Sequence, residues 1–143
     1  GYAITAIIGR REIMENAQRS FISSTFWTER IGPVAGLKTL EIMDREKSWE
    51  KITKIGKQIG ERWLELAQKH NLPMETNGLP ALVSFTIPVK NWIKFKTLIT
   101  QEMLKLGFLA GNTIYVCIEH KQDLIDTYFD MLDPIFSLIS SSN

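Results

Sequence analysis

Between Ser48 and His70 the apolar residues Ile52, Ile55, Ile59, Trp63 and Leu66 recur at every third or fourth position, while Lys51, Lys54, Lys57, Glu61 and Glu65 fill positions between them. That spacing predicts a long α-helix with one apolar face, and such a face has to be laid on another element. Ser48 stands where a side-chain N-cap belongs, and the helix should stop at His70-Asn71, ahead of Pro73. The same period returns downstream. Asn91 is a candidate cap for a helix carrying Trp92, Phe95, Leu98, Ile99, Met103 and Leu106 and closed by Gly107. A last helix from Lys121 to Ile139 carries Leu124, Ile125, Tyr128, Leu132, Ile135 and Ile139, with a kink expected before Pro134, whose ring blocks an intrahelical bond. Upstream, Ile31, Val34, Leu37, Leu40 and Met43 are also at helical spacing, with Pro33 tolerated in the first turn and an end near Arg45 to Lys47. The aromatic residues Trp49, Trp63, Trp92 and Phe95 read as helix core.

Short β-like runs lie between these helices. Met74–Thr76 and Leu82–Ile87 flank the turn signal Asn77-Gly78 and should pair antiparallel, and Thr113–Ile118 should add a further strand. From residue 34 onward the order is helix, helix, strand, strand, helix, strand, helix. The fold class is therefore α/β in the broad sense: a small α+β domain with one small antiparallel sheet and helices packed on it. Residues 1–33 do not fit that layer. Ala3 to Ile8 form an apolar β-like run broken by Gly9, Arg10 to Ala17 suit a short helix, and Phe21 to Trp27 suit a strand or extended loop. These residues read as the torn edge of another domain, which gives domains of 1–33 and 34–143. The start, Gly1-Tyr2 running straight into the apolar segment, reads as a cut inside a domain, with a trimmed or processed terminus as the alternative. Ser140-Ser141-Ser142 should be a disordered tail.

A chain of 143 residues, 44% of them hydrophobic, can bury one sizeable core. Its 17 basic and 16 acidic residues are spread along the sequence and leave a net charge of +1, so no strong field points to nucleic acid or anionic lipid. The longest apolar stretch, Leu79 to Val89, is interrupted by Pro80 and Pro88 and falls short of the roughly 20 residues that a membrane helix takes. Neither a nucleic-acid nor a membrane partner is expected. The single Cys117 sits in an apolar run, which predicts a buried thiol. One cysteine also excludes an intramolecular disulfide and fits a reducing, cytoplasmic compartment.

Few residues offer chemistry. His70 and His120, the only histidines, stand beside helix ends and suit capping or surface roles, and neither CxxC nor HxxxH spacing occurs, so no metal site is expected. Asp123, Asp126, Asp130 and Asp133 recur at helical spacing as a solvated polar face, without a catalytic pair. Ser23-Ser24-Thr25, ahead of a helix start, offers hydroxyls of the sort that bind phosphate, but hydroxyl residues ahead of helices are usually turn or cap residues, and the residues alone favour that reading.

The strings Gly1-Tyr2-Ala3-Ile4-Thr5-Ala6-Ile7-Ile8-Gly9-Arg10-Arg11-Glu12-Ile13-Met14 and Phe21-Ile22-Ser23-Ser24-Thr25-Phe26-Trp27 resemble the class III aminotransferases. These are pyridoxal 5'-phosphate (PLP) enzymes, among them glutamate-1-semialdehyde 2,1-aminomutase. The resemblance implies that the Schiff-base lysine lies a few residues ahead of Gly1-Tyr2, so this chain holds no catalytic residue. It implies that Thr25, assisted by Ser24, binds the phosphate of the PLP held by the neighbouring subunit of a homodimer. It also implies that residues 1–33 are the last strand-and-helix portion of the large PLP domain and the rest the small C-terminal domain. The complete enzyme would move an amino group between small-molecule donors and acceptors, an amino compound and a keto acid or aldehyde; an aminomutase reaction is the alternative within the family. Ala3 stands where many relatives have Pro, and Thr28-Glu29-Arg30-Ile31-Gly32-Pro33 replaces their Gly-Asn-Pro. Outside the family, a non-catalytic α+β regulatory or interaction module is the alternative.

Overall fold

The structure, a computed structural model, describes residues 2, 4–22, 25, 26 and 29–142. Its backbone packs as two units, Gly1–Glu46 and Lys47–Asn143.

In the first unit, the short helix α1 (Arg11–Met14) tightens into a 3-10 segment, Glu15–Arg19, and a loop leads to α2 (Ile31–Glu46). Glu29 starts α2: its carboxylate accepts from the Ile31 N–H at 3.0 Å and the Gly32 N–H at 3.3 Å, satisfying donors that have no intrahelical partner. The apolar run at the chain start does not form the expected strand. Among its described residues Ile7 and Ile8 are 76% and 91% exposed, and none of the strands pairs with the segment. β-propensity alone cannot hold an extended segment without a ladder partner. Among the described residues 21, 22, 25 and 26 there is likewise no strand. Only Gly32 is buried along α2, and Ile31, Val34, Leu37, Leu40 and Met43 are all exposed, contrary to the expected inward face. The cause is geometric: each three-residue step in a helix falls about 60° short of a full turn, so four such steps wander round the circumference and do not keep to one stripe.

The second unit is built on α3 (Ser48–Lys69), followed by β1 (Glu75–Leu79), β2 (Leu82–Thr86), α4 (Trp92–Lys105), β3 (Thr113–Tyr115) and α5 (Gln122–Ser141). The element order from α2 onward is the expected one, and the architecture is α/β mixed. The sheet is antiparallel throughout with β2 central, Leu79 facing Leu82 on one side and Val83 facing Ile114 on the other. Phe85, on β2, is the centre of the core. Its ring meets Trp63, Trp92 and Phe136 edge-on at centroid distances of 4.7, 5.8 and 6.0 Å. Ile59, Ile99, Met103, Leu132 and Ile139 are fully buried around it.

Several local expectations change. Lys47 takes the N-cap position of α3 at φ 49, and Ser48 is the first helical residue, its buried hydroxyl without a partner among the described residues. Trp49 is exposed, with the Lys47 ammonium 5.1 Å from its ring centroid. The hairpin turn lies at Pro80-Ala81, not at Asn77-Gly78; Gly78 is a strand residue at φ 93 opposite Val83. Leu106 and Leu124 are exposed. The strand β3 stops at Tyr115, and beyond Val116 the chain turns through Cys117–His120, which leaves Cys117 exposed and not buried as expected. The α5 helix runs past Pro134 to Ser141, so the serine tail continues the fold: Ser140 Oγ donates to the His70 carbonyl at 2.7 Å, and Ser141 and Ser142 donate to the Leu138 carbonyl.

Candidate phosphate-binding loop

Thr25 lies on a bend between the 3-10 segment and α2 and is exposed. Its hydroxyl makes no hydrogen bond to another described residue. The first-turn N–H groups of α2 that a capping side chain would accept from, those of Ile31 and Gly32, are taken by the Glu29 carboxylate. An exposed hydroxyl on a loop can serve a phosphate oxygen as a single donor. Ser24, the other expected contact, lies outside the described residues, as does Ser23. The sequence signal for the Glu29 cap is an acid two residues ahead of the Ile-Gly-Pro helix start, a signal that reading the loop by its hydroxyls passes over.

The histidines do structural work. His120 Nδ1 accepts from the Cys117 N–H at 3.1 Å, closing the turn after β3. His70, at the C-terminus of α3, places Nε2 2.5 Å from Asp133 Oδ1, while Lys69 Nζ lies 2.5 Å from Oδ2 of the same carboxylate. Those two contacts, Lys69 first, hold the Asp133 carboxyl below the usual carboxylate range. Hydrogen bonds from Gln122 and then Arg62 do the same for Asp126. Asp126 and Asp133 are therefore bridges to α3 as well as members of a polar face, and carboxylates held ionised in this way are poor proton donors. No group of three or more His, Cys, Asp or Glu side chains able to hold a metal occurs among the described residues. Nor, among those residues, is any helix long and apolar enough to cross a membrane.

No family model matches the chain. It is 28% identical to the 3-aminobutyryl-CoA aminotransferase of Cloacimonas acidaminovorans, over 86% of this chain and 31% of that protein. It is 23% identical to the glutamate-1-semialdehyde 2,1-aminomutase of Sulfurisphaera tokodaii, over 97% of this chain and 37% of that protein. These similarities agree with the resemblance to class III aminotransferases that the sequence carries. In fold it matches the PLP internal aldimine form of the Sphingopyxis sp. MTA144 FumI protein with a TM-score of 0.77 at 18% identity, over 92% of this chain and 32% of the other. It thus spans about a third of the length of each of these three proteins.

Proposed function

We propose that this chain is a part of a PLP-dependent class III aminotransferase, in which residues 1–33 complete the large cofactor domain and residues 34–143 form the small domain. The observation that carries this reading is the similarity to an aminotransferase along 86% of the chain combined with coverage of only 31% of that enzyme. Bound PLP supplies the electron sink for carbanion chemistry at an amino-bearing carbon. What this chain contributes is binding: the Thr25 hydroxyl donates to a phosphate oxygen of the cofactor held by the neighbouring subunit, and Ser24 assists. The lysine that anchors the cofactor and the acidic partner of the pyridine nitrogen belong to the remainder of the enzyme. The reaction moves an amino group between an amino compound and a keto acid or aldehyde, in a homodimer. A cytoplasmic setting agrees with the single Cys117.

The likeness to an aminomutase along 97% of the chain favours a second reading, in which the amino group shifts within one molecule. Supplying one amino donor with and without an external keto acid separates the two. The main reading is tested by reading the gene upstream of Gly1 and expressing the polypeptide it encodes. A Ser-Lys pair a few residues ahead of Gly1-Tyr2, and stoichiometric PLP fixed to that lysine by borohydride, are expected. An upstream sequence without a lysine there, or transaminase turnover by the 143-residue chain alone, would overturn it.

A further inference from the structure

We draw no further inference here: the strongest candidate, the apolar cavity of about 710 Å³ that Tyr2, Ile4, Pro33, Leu37 and Leu40 line on the exposed side of α2, carries nothing because nothing in the structure shows what covers it.

Discussion

Arg62 of α3 donates to Asp126 of α5 at 2.5 Å, and its guanidinium also lies 4.2 Å from the centroid of the Phe129 ring on the next turn of α5. Gln58 meets Gln122 and Lys69 meets Asp133 at the same sequence separation of 64, so the helices run parallel and are stitched in a single register. Half-exposed ion pairs contribute little by themselves. The stem of Arg62, by contrast, covers part of an aromatic ring, and that contact does not depend on charge. Arg62→Ala should therefore lower the thermal midpoint more than Asp126→Ala does, and added salt should shrink the Asp126 effect while leaving most of the Arg62 effect. Equal losses that both vanish in salt would reduce Arg62 to a surface charge.

The Asp133 bridge sets a pH dependence. Its carboxyl titrates below the unfolded value of about 3.9, so its contribution is fully present above roughly pH 5 and fades as the pH falls through and below the carboxylate range. Asp133→Asn should accordingly lower the thermal midpoint by a constant amount between neutral pH and about pH 5, with the gap to the parent closing at lower pH. A gap that stays constant down to about pH 3 would mean that the loss comes from packing and not from the charge.

Two glycines of α3 should respond in opposite ways to alanine. A Cβ on Gly56 would stand 1.8 Å from the Pro80 carbonyl oxygen, a backbone atom that only a shift of the whole hairpin can move, whereas at Gly60 it would meet Val83 Cγ2 at an ordinary 3.5 Å. Gly56→Ala should cost about 1–3 kcal/mol or more through overpacking. Gly60→Ala removes backbone freedom from the unfolded chain and should be neutral or stabilising by up to ~1 kcal/mol. Urea midpoints of the two variants check this, and a tolerated Gly56→Ala would place the hairpin farther from α3 than the structure does.

Trp63 Nε1 donates to the Tyr128 hydroxyl at 3.0 Å within the core, joining α3 to α5 through two buried side chains. Tyr128→Phe leaves the indole N–H buried and unpaired, at an expected cost of about 1–3 kcal/mol. Burial also pushes the Tyr128 hydroxyl well up from its ordinary value, against the opposing pull of the Trp63 hydrogen bond. The neutral phenol thus stabilises the fold fully below about pH 10 and loses that contribution above it. In alkali the phenolate absorbance assigned to Tyr128, by difference from Tyr128→Phe, should appear together with loss of helical signal. Ionisation ahead of unfolding would show that the ring is not sealed.

What the sequence made legible follows how local each determinant is. The α3 stripe, with its steps of three and four, projected Ile59 and Trp63 correctly because the helix period alone decides which side they occupy. Asn77-Gly78 was informative about the wrong property. Glycine is required at position 78 because the chain holds φ 93 there and a Cβ would fall 2.4 Å from the Leu82 carbonyl oxygen. The actual reversal uses Pro80, whose fixed φ suits a turn. Cys117 and the Ala3 to Ile8 run were read from hydrophobicity, but burial requires a neighbour, and the neighbours of a segment are not encoded in its own residues. At the candidate site, the resemblance pointed to Thr25, while the fold adds that Glu29 caps α2 and that the Thr25 hydroxyl has no hydrogen-bond partner among the described residues.

That last contrast sharpens the test of Thr25. In the complete enzyme its hydroxyl would donate to a charged phosphate oxygen, an interaction worth roughly 1.5–3 kcal/mol. Thr25→Ala should then weaken PLP binding about tenfold to a hundredfold, since each 1.4 kcal/mol is about a factor of ten. Because Glu29 caps α2, the same substitution should leave the thermal midpoint of the cofactor-free protein unchanged. Glu29→Ala should behave in the reverse manner, losing about 1 kcal/mol of stability as a missing cap while leaving PLP affinity intact. PLP dissociation constants and cofactor-free midpoints measured on both variants decide the assignment. If Thr25→Ala keeps full PLP affinity and lowers the midpoint, the hydroxyl is a structural group of the loop and has no place in the phosphate site.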